Sequence, residues 1–226
     1  MAIALDSKSD LSSSGSTSYT VSFTNTGGNI LFVSIYAINA TVSGVSYAGV
    51  AMTQIAHITY VGDLQVYALG GGWGTGSPAT GANNVVVTAA GGTTYRVNAI
   101  SYSGAATSGQ PDVTPVTTTG NIGGNTAASQ SITTATNNAM MVLFSKTGDD
   151  NPAGTVTGGT NQLSGTAPDV SDNLTTTAGT YTITITNPGD GPSRAYDGFL
   201  LALTPAGSSP SATIVTNNLS LLGVGT

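Results

Sequence analysis

The chain has 226 residues, with Lys+Arg 4, Asp+Glu 10, one His, no Cys and 31 Gly, and only 6% of it is charged. Without Cys there is no disulfide framework, thiolate metal site or Cys nucleophile. With a single His there is no multi-His zinc site, so acid–base chemistry would rest on His57 or on carboxylates.

Every acidic residue is Asp, a poor helix former, which disfavours long helices. The net charge of −6 and the scattered cations Lys8, Lys146, Arg96 and Arg194 oppose binding to nucleic acid or to an anionic membrane surface. No apolar stretch approaches the roughly 20 residues of a spanning helix, so no membrane insertion is expected. A chain of this length is read most economically as one all-β domain with one core.

Residues 1–16 read as an N-terminal arm or first strand, and Met1–Leu5 lacks the basic start and apolar run of a secretory signal. Ser18–Thr24 alternates strictly, with Tyr19, Val21 and Phe23 on one face, as a half-buried antiparallel strand does. Ile30–Ile38 is apolar on both faces and reads as a central strand. Further strands are expected at Val50–Val61, Asp63–Leu69, Asn84–Thr88 and Thr93–Ser103, with hairpin turns at Gly62-Asp63 and Gly91-Gly92.

Gly70–Gly76 opens a polar loop around Trp73, and residues 104–128 and 146–179 read as two more long loops. Ala139–Phe144 and Phe199–Leu203 are two-faced apolar strands, and Thr180–Thr186 alternates. Val45–Val50 and Ile100–Ala105 echo each other as two strands with similar turns.

Residues 206–226 continue a Pro/Ser-rich linker into an apolar tail. Ile214, Val215, Leu219, Leu221 and Leu222 are the candidate assembly arm, docking on a neighbouring subunit by strand addition or closing the chain's own sheet.

His57 is flanked by Ile55, Ala56 and Ile58 in a strand, and a catalytic role would need a partner that sequence cannot locate. Asp149, Asp150, Asp169, Asp172, Asp190 and Asp197 could form a glycosidase pair, but most stand beside Gly, Asn or Pro, where Asp serves turns. Asp149, Asp150, Asn151, Asp169, Asp172 and Asn173 are hard oxygen donors suited to Ca²⁺, without EF-hand spacing. No catalytic residue, metal site or cofactor is assigned. Trp73, the only Trp, is the candidate glycan contact, and the competing reading has it folding back over a sandwich end.

Val45–Thr53, Leu64–Leu69, Gly76–Gly81, Val85–Thr88, Ala99–Gly104 and Gly198–Pro205 together resemble the β-sandwich domains of bacteriophage virion proteins and bacterial surface proteins. The resemblance covers most of residues 17–205 and implies a lectin-like or jelly-roll antiparallel sandwich in an exposed structural protein, with no catalytic residues to transfer.

The expectation is a non-enzymatic virion protein, a capsid decoration or fibre component on the particle exterior. Its partners would be copies of itself and other virion structural proteins, joined through strand edges and the C-terminal arm. The alternative is a carbohydrate-binding adhesin module, extracellular or on a bacterial surface, whose partner is a cell-surface glycan.

Overall fold

A computed structural model describes residues 2–11, 13–14, 18–38, 41–60, 62–91, 94–122, 127–147, 155–164, 168–186 and 194–207. Its regular elements are all strands. In chain order they are β1 (Ala4–Asp10), β2 (Ser13–Ser14), β3 (Ser18–Asn25), β4 (Ile30–Ile38), β5 (Thr41–Tyr47), β6 (Val50–Ala51), β7 (Thr53–Ile58), β8 (Asp63–Leu69) and β9 (Gly81–Ala90). There follow β10 (Thr94–Ser103), β11 (Val116–Ile122), β12 (Ala127–Thr134), β13 (Met140–Thr147), β14 (Thr155–Thr157), β15 (Thr160–Leu163), β16 (Asp169–Leu174), β17 (Gly179–Thr186) and β18 (Arg194–Leu203).

The strands form four antiparallel sheets, ordered β1-β10-β4-β8-β7, β3-β9-β5-β6, β11-β18-β13-β16-β15 and β12-β17-β14, with β2 paired to β10. The all-β sandwich class is therefore as expected, but the number of cores is not.

The first two sheets enclose Leu31, Val33, Ile35, Val85, Val87 and Val97. The last two enclose Met141, Leu143, Ile183, Ile185 and Leu200. A third cluster lies between the sandwiches and joins Ile30, Phe32 and Val66 to Val142, Phe144 and Leu201. The molecule is thus a stack of four sheets in which the two inner ones are buried on both faces. That explains the two-faced apolar runs: β4 sends Leu31 and Val33 into one core and Ile30 and Phe32 into the next, following the period of two.

The two sandwiches have one connectivity. Substituting β11 for β1, β18 for β10, β13 for β4, β16 for β8 and β15 for β7 converts the first sheet order into the third. Likewise β12, β17 and β14 take the places of β3, β9 and β5. Side-chain detail follows the same correspondence. Asp6 accepts from Thr26 N at 3.1 Å and Thr26 Oγ1 at 2.5 Å. Asp112, just ahead of β11, accepts from Thr136 N at 3.3 Å and Thr136 Oγ1 at 2.7 Å.

The two repeats meet about a pseudo-dyad. Ala105 bridges Pro205 antiparallel, Ala106 N donates to Thr204 O at 2.8 Å, and Ala206 N donates to Gly104 O at 2.8 Å. Reciprocal exchange of this kind is what a self-complementary two-fold contact produces. Gly104 is required there: it sits at φ +75°, and a Cβ would lie 2.3 Å from Ala2 O.

Several sequence expectations change. Val50–Val61 is two strands, β6 and β7, and Gly91-Gly92 is no hairpin, because β9 and β10 belong to different sheets. Residues 104–128 contain β11 and the start of β12, and 146–179 contains β14, β15 and β16. The echo between Val45–Val50 and Ile100–Ala105 lies inside the first repeat and is not the duplication. Of the 206–226 linker and candidate arm, Ala206 is bonded to Gly104 O, and residues 208–226 are not among the described ones. The arm residues Ile214, Val215, Leu219, Leu221 and Leu222 therefore lie outside the described residues.

Candidate functional site

His57 projects from edge strand β7 and is 48% exposed, with Nε2 2.6 Å from Asp63 Oδ1 across the β7–β8 turn. Gln65 Nε2 donates to Asp63 Oδ2 at 2.9 Å, Tyr67 Oη to Gln65 Oε1 at 2.8 Å, and Gln54 Nε2 to Gln65 Oε1 at 2.7 Å. The structure thus supplies the acidic partner that the sequence could not locate. The network's further members are amides and a phenol, which fix the edge of the sheet. Burial, then the Asp63 charge, pushes the Tyr67 hydroxyl up to about 12, so it serves as a donor.

A second polar group lies in the seam between the repeats. Lys146 is 2% exposed and sits over the Tyr36 ring, 4.5 Å from its centroid. Asp197, fully buried, is opposite Lys146 in the β13–β18 ladder. Farther along, Asp172 accepts from Tyr102 Oη at 3.0 Å and Gln162 Nε2 at 2.9 Å, and Lys8 Nζ donates to Gln162 Oε1 at 2.9 Å. This chain ties β1 of one repeat to β15 and β16 of the other.

Burial raises the Asp172 pKa, and the bonds from Gln162 and Tyr102 and the Lys8 charge offset that only in part. Burial and the Asp172 charge likewise hold the Tyr102 hydroxyl well above the phenol range, keeping it a donor. Stability from the neutral Asp172 carboxyl is therefore fully present below the ordinary Asp range and is lost as pH rises through the raised value. Asp172→Asn keeps a carbonyl acceptor and abolishes that loss. Urea midpoints at pH 3.5 and 7 should show the variant gaining on the wild type at the higher pH, and parallel pH dependences would contradict the assignment.

Asp169 and Asp172 lie in strand β16, and Asp197 lies in β18, all buried; they are not the turn residues the sequence suggested. Their neighbours Gly, Asn and Pro misled because β16 is a buried strand with a polar sequence. Asp149, Asp150 and Asp190 lie outside the described residues. Among the described residues no three His, Cys, Asp or Glu converge as a metal site.

Trp73 is half-buried. A Gly70–Trp73 bridge turns its loop back, and its ring packs against Phe32 with centroids 5.7 Å apart, at the rim of the central core. Gly70, at φ +92°, makes this turn possible, since a Cβ there would lie 2.1 Å from Asn29 O.

The outer faces are neutral and hydroxylated. On the β12–β17 sheet Ser129, Ser131 and Thr133 pair with Thr184, Thr182 and Thr180 at 2.8, 2.7 and 2.8 Å. On β3 the exposed positions are Ser18, Thr20, Ser22 and Thr24.

The sheet edges divide into two kinds. β1 carries Asp6, Lys8 and Asp10. β7 and β15 are bulged, and β6 and β14 are two and three residues long. By contrast β3 and β12, eight residues each, and β11 carry no charge and no proline. The register of β3 with β9 and of β12 with β17 is unbroken. No family model matches the chain, and no curated protein matches it in sequence.

Proposed function

We propose that the chain is a non-enzymatic structural protein of a phage-like virion, carried on the capsid or tail exterior as a decoration or fibre component. The observation that supports this reading is the contrast between its edges. Soluble sheet proteins defend long edges with Lys, Pro, bulges or short strands. This chain does so at β1, β7 and β15 and leaves β3, β11 and β12 open among the described residues.

A stack of four sheets with few charges and neutral hydroxyl faces suits a block that is covered by neighbours. The apolar tail beyond Gly207 supplies a second means of attachment, strand addition to an adjacent subunit. Removing residues 208–226 should leave the melting temperature of the block nearly unchanged and lower the amount retained on purified particles several-fold. Retention equal to that of the full chain would remove the arm from the account.

A further inference from the structure

Resting on the assembly reading above, we propose that β3 of one copy pairs edge-to-edge with β12 of the next, so that copies of this chain join head to tail. The two strands are equivalents in the two repeats, each the outermost strand of an outer sheet, next to β9 and β17 respectively. One chain therefore offers the same type of edge twice, the valency a continuing row requires.

Both strands alternate in phase with their sheets. β3 presents Ser18, Thr20, Ser22 and Thr24 outward and Tyr19, Val21 and Phe23 inward. β12 presents Ala127, Ser129, Ser131 and Thr133 outward and Ala128, Gln130 and Ile132 inward. Pairing them extends the hydroxyl ladder already formed with β17 and keeps apolar residues on one face.

Size selects β12 over a second β3. The inward side chains of β3 are large, whereas those of β12 begin with Ala128. Beside β3 there is also a crevice of about 380 Å³, lined by Ser7, Lys8 and Ser9 of β1 and by Ser22, Phe23, Thr24 and Thr26.

The test uses the full chain in sedimentation velocity over a wide concentration series. In one variant Lys replaces Thr20, Ser22, Ser129 and Ser131, which sets like charges opposite each other across the contact. In the other, Lys replaces Thr20 and Ser22 while Asp replaces Ser129 and Ser131. The wild type should associate into rows, the all-Lys chain should need at least tenfold higher concentration, and the Lys/Asp chain should return close to wild type.

The Lys/Asp chain also controls for folding, since it changes the same four positions. Pairing of like edges predicts that it is as defective as the all-Lys chain, and that result overturns the proposal. So does a wild type that stays monomeric throughout. A monomeric wild type that still occupies a particle at fixed stoichiometry would end the edge pairing and leave the virion reading standing.

Discussion

Phe32→Ala should unfold both sandwiches together. Phe32 lies on β4 in the seam, fully buried, with ring centroids 5.4 Å from Phe144, 6.3 Å from Tyr102 and 5.7 Å from Trp73. Phe144 belongs to the second repeat, and it continues the cluster to Phe199, 6.5 Å away. Truncation leaves a cavity walled by both repeats, and such losses cost about 3–5 kcal/mol. For a chain of this size that is a fall in melting temperature on the order of 10 °C.

The form of the transition matters as much as its midpoint. Trp73 touches Phe32, so its fluorescence reports on the seam, while circular dichroism reports on all sheets. The two should move together in wild type and variant. Two separated transitions would mean that the repeats are independent and the central cluster is a minor contact.

The second large effect is expected at Lys146. It is buried over Tyr36, a residue of the other repeat, and faces Asp197 across the β13–β18 ladder. Lys146→Met removes the buried cation that stands opposite the buried Asp197 carboxylate in the ladder, and removing one of two opposite buried charges costs about 3–5 kcal/mol. Asp197→Leu should be comparably harmful, because it leaves the ammonium instead.

The double variant should recover most of the loss, since a well-packed apolar pair can match a buried ion pair. Denaturant midpoints of the three variants close a double-mutant cycle. Additive losses would show that the two charges act separately.

The strands with regular patterns were legible in the sequence. Ser18–Thr24 and Thr180–Thr186 alternate cleanly, and Ile30–Ile38, Ala139–Phe144 and Phe199–Leu203 are apolar on both faces because inner sheets are covered on both sides. Asp169–Leu174 was not legible. Its Asp, Ser and Asn residues read as a loop, and only the partners Tyr102 and Gln162 make a buried strand of them.

The duplication was also invisible, because what repeats is connectivity and one Asp–Thr bond, while spacing drifts from 106 residues between Asp6 and Asp112 to 110 between Thr26 and Thr136. A signal for Lys146 was available: Met140, Val142 and Phe144 point to one face, and the period of two places Lys146 next in that row. His57 and Trp73 stood out in the sequence as rare residues, but their partners did not: Asp63 beside the one and Phe32 beneath the other are brought there by the fold.

The functional claim is tested most directly by counting copies. Particles purified from cells that produce the chain should contain it in a constant molar ratio to the main shell or tail protein, unchanged by repeated density-gradient centrifugation. Recovery of the chain solely as free monomer, with none banding with particles, would contradict the account.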